Sequence, residues 1–458
     1  MTYIIAKSER EAIPIKLATE ASLSELRHTL SPEHQTWLQA NAFKAKAGQF
    51  CLLPSDDHGI QEVIFGYDPK LPFWQLGALA TILPRGEYAF ASDLPIDLGL
   101  AAIAWGLQAY AFEKYKTKEQ TISTLVVNNP KICEQSLQQI TAITLIRDLI
   151  NTPSEDMGPE QLVAAMQAVA KQFAGTVKQW IGKELLQENF PAVHTVGRAS
   201  DREPRLAVLE WGQATHPLLC IVGKGVCFDT GGYDLKPAVF MRWMKKDMAG
   251  AAHALGLAQL IMAAELPIRL QVIIAAVENV VSGNAFKPGD VIKTRKGSTV
   301  EVGDTDAEGR LILADALTYA AEQNPALIID YATLTGSARA AMGPDLPAMF
   351  CNQDNIANQL LAAGKAEADP MWRLPLYQPY CELIKSSIAD LSNTSNLPLG
   401  GAITAALFLQ HFVGDLPWIH FDIMAWNCNS RPGRPEGAEA HALRSGFAFV
   451  REYFASHK

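Results

Sequence analysis

The spacing of apolar residues changes near residue 130 of this chain. Before that point, Ile60–Phe65 and Ile122–Val127 have the length and composition of strands. Leu98–Tyr115 repeats apolar residues at helical spacing and is predicted to be a helix. Because predicted strands and helices alternate, residues 1–130 are predicted to form a small α/β domain.

A long amphipathic pattern follows this first part. Lys131–Ile150 places isoleucine and leucine at helical spacing, and Pro153 stops the pattern just after a polar pair. We therefore predict a connecting helix within residues 131–153.

Beyond the predicted connecting helix, continuous apolar runs alternate with helical patterns, as in a central sheet covered on both faces. The sequence therefore predicts a large doubly wound α/β domain with a mixed sheet over residues 154–458. The predicted strands are Pro217–Val222, Leu270–Val277, Leu327–Ile329 and Trp418–Ile423. The predicted helices are Ala249–Ala264, Leu311–Gln323, Gln353–Glu367 and Ile403–Phe412.

Composition and charge exclude several classes of protein. The 458 residues are 48% hydrophobic and 19% charged, as in ordinary globular proteins. The net charge of −9 gives no general attraction to nucleic acid or to anionic membranes. No run reaches 18 apolar residues, so no membrane span is expected. The N-terminus lacks a secretory pattern and the seven cysteines are scattered, which together favour a cytoplasmic protein with reduced thiols.

Two segments concentrate the residues that could carry chemistry, Val222–Asp247 and Val302–Leu311. Loops at the carboxyl ends of strands are where open α/β sheets bind ligands. The acids in these segments are Asp229, Asp247, Asp306 and Glu308, and the cations singled out are Lys224, Lys236 and Arg310.

The four acids point to bound metal. Gathered in one cleft, they would repel one another, and two divalent ions would balance their four negative charges. Asp306 and Glu308 lie two residues apart, so both point the same way if the segment is extended. Gly309 would then permit a tight turn before the next helix. An oxygen-rich set without histidine favours Mn²⁺ or Mg²⁺ and leaves Zn²⁺ open.

Simpler interpretations remain open for these residues alone. An aspartate beside glycine is usually a turn or a helix cap, and DTDAEGR also suits a solvated loop. Lys245 and Lys246 are interpreted as a solvated charge pair. His253 and His420 are interpreted as structural residues.

Taken together, six stretches resemble the leucyl aminopeptidase family, the two-metal cytosol aminopeptidases, continuously from Arg147 onward. The octapeptide of that family usually begins with Asn, where this chain has Asp304. The stretches are VGKGVCFDTGGYDLKP, DTDAEGRL, RDLINTP at Arg147–Pro153, ENVVSGNAFKPGDVIKT at Glu278–Thr294, DYATLTGSA at Asp330–Ala338 and GAITAALFLQHFVGDLPWIHFDI at Gly401–Ile423.

The resemblance implies an exopeptidase that hydrolyses N-terminal residues from peptides with a water bridging two divalent ions, Mn²⁺ or Zn²⁺, with Mg²⁺ a further candidate. It implies a homohexamer, and a bicarbonate near the catalytic arginine as general base. The implied ligands of the tight site are Lys224, Asp229, Asp247 and Glu308, and those of the exchangeable site Asp229, Asp306 and Glu308. The implied catalytic residues are Lys236 and Arg310, and the implied substrate-binding residues Met244, Thr333, Leu334 and Gly336.

Departures from the family pattern concern specificity. Asp304 and Glu439 place extra acid near the expected cleft, and Trp426–Ser445 departs from the small, glycine-containing tract of the family. We therefore expect a preference for substrates with a cationic first residue, or a penalty on substrates with an acidic one. An alternative hypothesis is that a protein of this fold has an additional DNA-binding regulatory role, for which the charge offers no basic groove. An inactive relative is disfavoured because all seven key positions are filled.

Overall fold

A computed structural model describes residues 3–456 of the chain, which divide into two compact units. The first unit contains the residues up to Thr144 together with Asn429–Glu436, and the second contains Leu145–Cys428 and the residues from Gly437 onward. Helix α5 crosses this division, and the predicted domain boundaries at residues 130 and 153 stay a prediction. None of the described helices is long and apolar enough to cross a membrane.

Within the described residues, the helices are α1 Leu23–His28, α2 Pro32–Ala40, α3 Leu79–Ile82, α4 Leu98–Gln108, α5 Pro130–Asn151, α6 Pro159–Gln172, α7 Glu184–Gln187, α8 Pro191–Gly197, α9 Ala238–Met241, α10 Ala249–Ala263, α11 Glu308–Glu322, α12 Gly336–Met342, α13 Asp354–Ala366, α14 Gly401–Val413 and α15 Leu443–Ala455. Short 3₁₀ helices occupy Phe73–Ala78, Ser154–Asp156, Met244–Met248 and Gln378–Ile384.

The strands are β1 Ile4–Ile5, β2 Ile13–Ala18, β3 Phe50–Pro54, β4 Ile60–Gly66, β5 Glu87–Phe90, β6 Thr124–Val126, β7 Thr176–Ile181, β8 Arg205–Trp211, β9 Leu218–Asp229, β10 Arg269–Asn279, β11 Val291–Lys293, β12 Thr299–Glu301, β13 Leu327–Ala332, β14 Ala348–Cys351, β15 Trp372–Arg373, β16 Leu391–Ser392, β17 Trp418–Asp422, β18 Trp426–Asn427 and β19 Gly437–Ala438.

The first unit contains a six-stranded sheet in the order β1-β6-β5-β2-β4-β3, in which only β3 is antiparallel to its neighbour. Trp105 of α4 is fully buried in its core beside Leu17 and Phe65. The Trp105 indole Nε1 donates to the carbonyl of Ser123 at 3.0 Å, so burial leaves this polar atom satisfied.

The second unit contains an eight-stranded mixed sheet in the order β15-β14-β17-β13-β9-β10-β8-β7. The central strands β17, β13, β9 and β10 run parallel, and antiparallel strands complete both sides. Parallel strands end at the same edge of a sheet, so residues at the ends of β9 and β10 lie side by side. This register pairs Asp229 with Asn279.

Helices cover both faces of this sheet. On one face, Cys220 and Val222 of β9 pack in a core with residues of α11 and α14. On the other face, Gly223 meets α10 so closely that a Cβ on it would lie 2.5 Å from the Ala251 Cα. Since neighbouring strand residues point to opposite faces, α10 lies opposite α11 and α14. The predicted doubly wound, mixed-sheet α/β architecture is confirmed.

The predicted elements were found, with changes at their ends. The Leu98–Tyr115 prediction was wrong beyond Gln108, where α4 ends. The chain after it becomes exposed and rich in lysine, so a helix there would have no apolar face to bury. The predicted strand Pro217–Val222 instead continues through Asp229, because glycine and lysine at its carboxyl half remain buried in the sheet.

Candidate active site

Strand β9 carries two of the candidate metal ligands at its carboxyl end. The sequence predicted a loop after Val222, but Lys224 lies inside the strand and is 3% exposed. Its ammonium Nζ lies 2.8 Å from Asp247 Oδ2 and 2.9 Å from Glu308 Oε1, and donates to the Thr333 carbonyl at 3.2 Å. The strand therefore delivers a lysine amine into a group of carboxylates.

Gly309 makes room for that lysine. The sequence predicted a turn at this glycine, but Gly309 lies within the first turn of α11 and has no left-handed φ. A Cβ at this position would lie 2.4 Å from Lys224 Cε and 2.6 Å from its Nζ. The prediction of a turn was therefore wrong, and a glycine stands here because the Lys224 side chain occupies the space.

Asp229 closes β9 and is held on both sides. Its Oδ1 accepts from the backbone N–H of Gly231 at 2.9 Å and from Asn279 Nδ2 at 2.8 Å. Gly231 has a φ of +89°, a conformation that glycine tolerates and other residues rarely adopt. The N–H of Lys236 donates to the Thr230 carbonyl at 2.9 Å, which turns the chain back toward the strand.

Lys236 reaches the same carboxylates from this turn. Its Nζ lies 2.8 Å from Asp229 Oδ2 and contacts Asp306 Oδ1. Its side chain is 13% exposed, so it is neither a free surface lysine nor fully enclosed. The turn after β9 thus places a second amine beside the acids, separate from Lys224.

The octapeptide contributes Asp306 from a turn and Glu308 from the start of α11. The segment is not extended, so the condition under which Asp306 and Glu308 would point the same way is not met. The two carboxylates nevertheless meet Asp229, with one ligand oxygen of each lying within 4.8 Å of the others. The N–H of Asp306 donates to Asp304 Oδ1 at 2.7 Å, which fixes the turn.

Asp247 completes the group from the 3₁₀ helix Met244–Met248. Its carboxylate is buried, with Oδ1 accepting from Thr333 Oγ1 at 2.7 Å and Oδ2 facing Lys224. All five residues predicted as metal ligands are therefore brought together, and Lys236 with them.

Burial and mutual repulsion shift the acids away from their ordinary ionisation. Burial raises the pKa of the Asp306 carboxyl to about 7, with the charge of Asp229 as the next cause. Burial raises the pKa of Glu308 well above its usual range, and Asp229 adds to it. Such carboxylates are unfavourable as anions unless positive charge lies among them.

The two lysines supply part of that positive charge. Burial works against the ammonium form of each, but the surrounding carboxylates outweigh it and raise the pKa of both Lys224 and Lys236. The pKa of Asp247 is lowered, because Lys224 and Lys246 overcome the opposing effect of burial. The site is thus a tightly coupled cluster of acids and amines.

The residues present fit a divalent cation. Glu308 is fully buried, and its Oε2 has no hydrogen-bond partner in the described chain. A buried carboxylate oxygen without a donor is costly, and a coordinated cation removes that cost. Asp229 and Asp306 present oxygens beside it, which is the donor chemistry of hard divalent ions.

Arg310 follows Glu308 on α11 and is anchored by one of its nitrogens. Its Nη1 donates to the Asn393 carbonyl at 2.6 Å, whereas its buried Nε has no partner in the described chain. Burial lowers its pKa to about 10, which leaves it cationic at neutral pH. The guanidinium therefore keeps donors for a small planar anion.

A cavity of about 650 Å³ opens beside this cluster. Met244 and Gly336 line it, as the sequence predicted for a substrate cleft, together with Lys236 and Asp306. Thr333 and Leu334 are not among its lining residues. The other lining residues are Asp234, Leu235, Pro237, Phe240, Trp243, Lys246, Arg339, Gly343, Pro344, Met424 and Cys428.

Thr333 and Leu334 instead belong to the loop that frames the cluster. Asp422, at the end of β17, accepts from the Leu334 N–H at 3.0 Å and from the Thr335 hydroxyl at 2.6 Å. The sequence analysis missed Asp422 and Asn279 as residues that hold the site. Each ends a strand beside the cluster, so the rule for carboxyl-end residues would have found both.

Two sequence interpretations of charge were wrong. Lys246 is not a solvated partner of Lys245: it is 1% exposed, and burial lowers its pKa to about 7, with Arg339 adding to the effect. Glu439 does not bring free acid to the cleft. It is 3% exposed and its Oε1 lies 3.0 Å from Arg147 Nη2, so its charge is compensated.

Family models match both parts of the chain. The catalytic domain of the cytosol aminopeptidase family matches residues 144–445, and the N-terminal domain of M17 aminopeptidases matches residues 13–128. Among solved structures, the crystal structure of cytosol aminopeptidase from Coxiella burnetii has a TM-score of 0.95 and 45% identity, covering 98% of this chain and 99% of that one. The bottromycin maturation enzyme BotP in complex with Mn has a TM-score of 0.86 and 27% identity, covering 96% and 99%.

Curated relatives agree with these matches. The probable cytosol aminopeptidase of Roseiflexus castenholzii is 42% identical over 317 residues, which span 68% of this chain and 64% of the relative. Peptidase B of Yersinia pseudotuberculosis is 38% identical over 404 residues, or 85% of this chain and 91% of the relative.

The fold and these matches define a hydrolase of peptide bonds, an aminopeptidase. The chain belongs to the cytosol aminopeptidase family, the M17 peptidases. The predicted family and enzyme class are confirmed. The alternative of a DNA-binding role finds no support in these matches.

Proposed function

We propose that this chain is a two-metal aminopeptidase that releases the first residue of peptides. The observation that carries the proposal is the cluster of Asp229, Asp306 and Glu308, of which Asp306 lines a cavity of about 650 Å³. The proposed ions are Mn²⁺ or Zn²⁺, with Mg²⁺ a further candidate. The oxygen donors favour Mn²⁺, and the related enzyme BotP is described in complex with Mn.

The two proposed ions would share ligands. Lys224, Asp229, Asp247 and Glu308 would hold the tighter one, and Asp229, Asp306 and Glu308 the more exchangeable one. Lys224 would have to lose its proton on binding, so metal affinity and pH are linked at this site. Its contacts with Asp247 and Glu308 support its place in the tighter set.

The chemistry divides between the ions and the chain. When bound, a pair of divalent ions polarises the scissile carbonyl and lowers the pKa of an attacking water. Lys236, which reaches the cluster from the turn after β9, would donate to the oxygen that becomes negative in the transition state. Arg310, held at one end by Asn393, would orient a bicarbonate that takes up the proton of the water.

The substrate would occupy the cavity beside the ions. Met244 and Gly336 line this cavity and would contact the first residue of the peptide. Thr333 and Leu334 would act from the neighbouring loop, which Asp422 holds in place. A free substrate amine would bind near the exchangeable ion, which explains cleavage at the N-terminus alone.

Turnover of leucyl peptides with free and with acetylated N-termini tests the proposal. We expect release of leucine only from the free amine, loss of activity after chelation, and recovery on adding Mn²⁺, Zn²⁺ or Mg²⁺ to different extents. Full activity of the chelated protein, or equal cleavage of the acetylated peptide, would contradict it.

We also propose a homohexamer in the cytoplasm, as the family resemblance implies. Exposed apolar side chains that lie close together in the chain support self-association, because contiguous apolar patches on a surface commonly mark protein contacts. Examples are Leu235 at 59%, Val239 at 69% and Phe240 at 59% exposed. Sedimentation of the purified protein measures the number of subunits.

A further inference from the structure

Lys246 is a buried basic side chain that the proposed mechanism does not use. It lies in the 3₁₀ helix Met244–Met248, between a cavity-lining methionine and a proposed metal ligand. It is 1% exposed, and its Nζ has no hydrogen-bond partner among the described residues. A buried ammonium without a partner is strongly unfavourable, so its retention needs an explanation.

The neighbouring carboxylates make no hydrogen bond with the Lys246 amine. Asp247 directs its Oδ2 to Lys224 and its Oδ1 to Thr333. Asp422 is occupied by the N–H groups of Leu334 and Thr335 and by the hydroxyl of Thr335. No carboxylate of the part of the chain that the structure describes lies within 4.0 Å of the Lys246 amine.

A second cation lines the same cavity. Arg339 lies on α12, one turn beyond Gly336, and is half-buried. Its guanidinium forms no ion pair within residues 3–456. Lys246 and Arg339 both line the cavity that Met244 and Gly336 also line, where a substrate would lie. Two acids also line the cavity, but Asp306 contacts Lys236 and Asp234 accepts from Thr305. The lining therefore carries two basic side chains, Lys246 and Arg339, that no acid of the described residues pairs with.

We propose that Lys246 and Arg339 form a carboxylate-binding subsite for the peptide substrate. The inference rests on the proposed function, since it assigns the charge that this cavity selects. Two sources of a carboxylate are available in a peptide: an acidic side chain on its first residue, and the free C-terminal carboxylate of a dipeptide. Arg339 can bind either through paired N–H groups, with Lys246 as a point charge.

The subsite reverses the preference expected from the sequence alone. That expectation rested on Glu439, whose charge Arg147 compensates, and on Asp304, which does not line the cavity. Among the charged lining side chains, Asp234 and Asp306 are engaged by Thr305 and Lys236. Lys246 and Arg339 form no ion pair in the described chain, so the substrate group that they favour is an anion.

Matched substrate pairs separate the two sources. The first pair is a glutamyl and a glutaminyl amide, and the second is leucyl-leucine and its C-terminal amide. For each pair we take the kcat/KM of the carboxylate substrate divided by that of its amide counterpart, called the glutamyl ratio and the dipeptide ratio. Each ratio cancels changes that affect both substrates, such as altered metal content. Activity on leucyl amide, measured separately, reports the proposed function, so its loss is distinguishable from a change in either ratio.

We expect Lys246→Met and Arg339→Gln each to lower one of these ratios by at least about tenfold, the effect of losing one charged hydrogen bond. A fall in the glutamyl ratio assigns the first-residue side chain, and a fall in the dipeptide ratio assigns the C-terminal carboxylate. Lys245→Met is the matched control, because Lys245 does not line the cavity and its Nζ contacts the Asn151 carbonyl.

Arg339→Gln keeps the test decisive if Lys246→Met fails to fold, because Arg339 is only half-buried. Binding of free glutamate and of free glutamine, each measured by calorimetric titration, gives a readout that does not depend on turnover. The proposal is overturned if neither ratio moves in either variant, or if Lys245→Met moves it equally. It is also overturned if the unmodified enzyme discriminates against both carboxylates.

Discussion

At the scale of single residues, the site is a cluster in which each side chain has a distinct environment. Glu308 is fully buried, whereas Asp306 comes from a turn and its side chain is 32% exposed. A fully buried carboxylate such as Glu308 is suited to bridging the two proposed ions. A more exposed carboxylate such as Asp306 is suited to binding the exchangeable ion alone. The two acids should therefore differ in what their removal does.

Glu308→Ala should lower the content of both metal ions, because it would remove a bridging ligand and leave Lys224 without one of its partners. Asp306→Ala should mainly empty the exchangeable position. Metal analysis of the purified variants, expressed as ions per chain, measures both effects. If Glu308→Ala retained two ions per chain, the bridging assignment would be wrong.

Lys236 and Lys224 should also behave differently. Lys236→Ala should slow turnover by about 10²–10³-fold with both ions retained, the usual effect of losing one oxyanion donor. Lys224→Ala should instead lose metal, because its amine lies inside the ligand set. Turnover and metal content are measured on the same preparations. Equal metal loss in both variants would contradict the separation of roles.

At the scale of helices and strands, strand ends hold the loops that shape the cavity. Asp422 ends β17 and anchors the loop after β13, and Asn279 ends β10 and orients Asp229. Two buried ion pairs of the same unit, Arg147 with Glu439 and His420 with Asp330, give predictions on stability.

Arg147 on α5 and Glu439 form a buried ion pair, with side chains 0% and 4% exposed. Arg147→Met should lower the free energy of unfolding by about 3–5 kcal/mol, because it leaves Glu439 buried and uncompensated. Adding Glu439→Gln should recover part of the loss. Urea denaturation measures both. The ratio of arginyl to leucyl amide turnover should stay unchanged in Glu439→Gln, and a shift in it would show that Glu439 acts on the substrate.

His420 on β17 lies with its Nδ1 2.6 Å from Asp330 Oδ1 on the neighbouring β13, and both side chains are buried. Burial disfavours the imidazolium, but Asp330, with a smaller contribution from Asp422, outweighs burial and Arg310 and raises the pKa of His420. The charged form therefore stabilises the fold below the ordinary histidine pKa of about 6.5, and this stability is lost as pH rises through the raised value.

Unfolding free energies measured across that pH range should fall more steeply with rising pH in the unmodified protein than in His420→Gln. His28→Gln, an exposed position on α1, is the control and should follow the unmodified protein. Parallel curves for the unmodified protein and His420→Gln would contradict the ion pair.

These elements also show how far a sequence can be interpreted. Apolar runs identified the central strands, because burial on both faces leaves a continuous signal. The acids of both motifs were singled out because four carboxylates near the ends of predicted strands would need balancing positive charge. Their assignment as ligands depended on the resemblance of six stretches to a known family, because an aspartate beside glycine alone is usually a turn or a cap. Lys246 could not be found: burial of one lysine in a Lys-Lys pair depends on how a 3₁₀ helix is oriented, which local spacing does not record. Glu439 was misjudged because its partner Arg147 is distant in sequence.

At the scale of the whole chain, each unit has its own hydrophobic core. The candidate metal ligands all belong to the second unit. A ligand that binds the folded state alone stabilises it, by about 2.7 kcal/mol when present at a hundred times its dissociation constant. Metal should therefore stabilise the unit that binds it.

Chelation should lower the thermal midpoint of the second unit, since it would leave the buried acids without compensating charge. Adding Mn²⁺ back should restore the midpoint. Calorimetry measures the transitions with and without chelator. Lys224→Ala, expected to bind metal poorly, should respond little to chelator. An unchanged midpoint on chelation of the unmodified protein would argue against a resident metal.

Gly309 sets a limit on how this enzyme can be made more stable. Replacing a glycine inside a helix by alanine commonly stabilises a protein by up to about 1 kcal/mol, and such changes are a standard route to thermostable variants. Here the added methyl group would occupy the space of the Lys224 amine. We therefore expect Gly309→Ala to displace a ligand of the proposed metal centre, so that the weakest position of α11 by helix propensity is one where a stabilising substitution would cost activity.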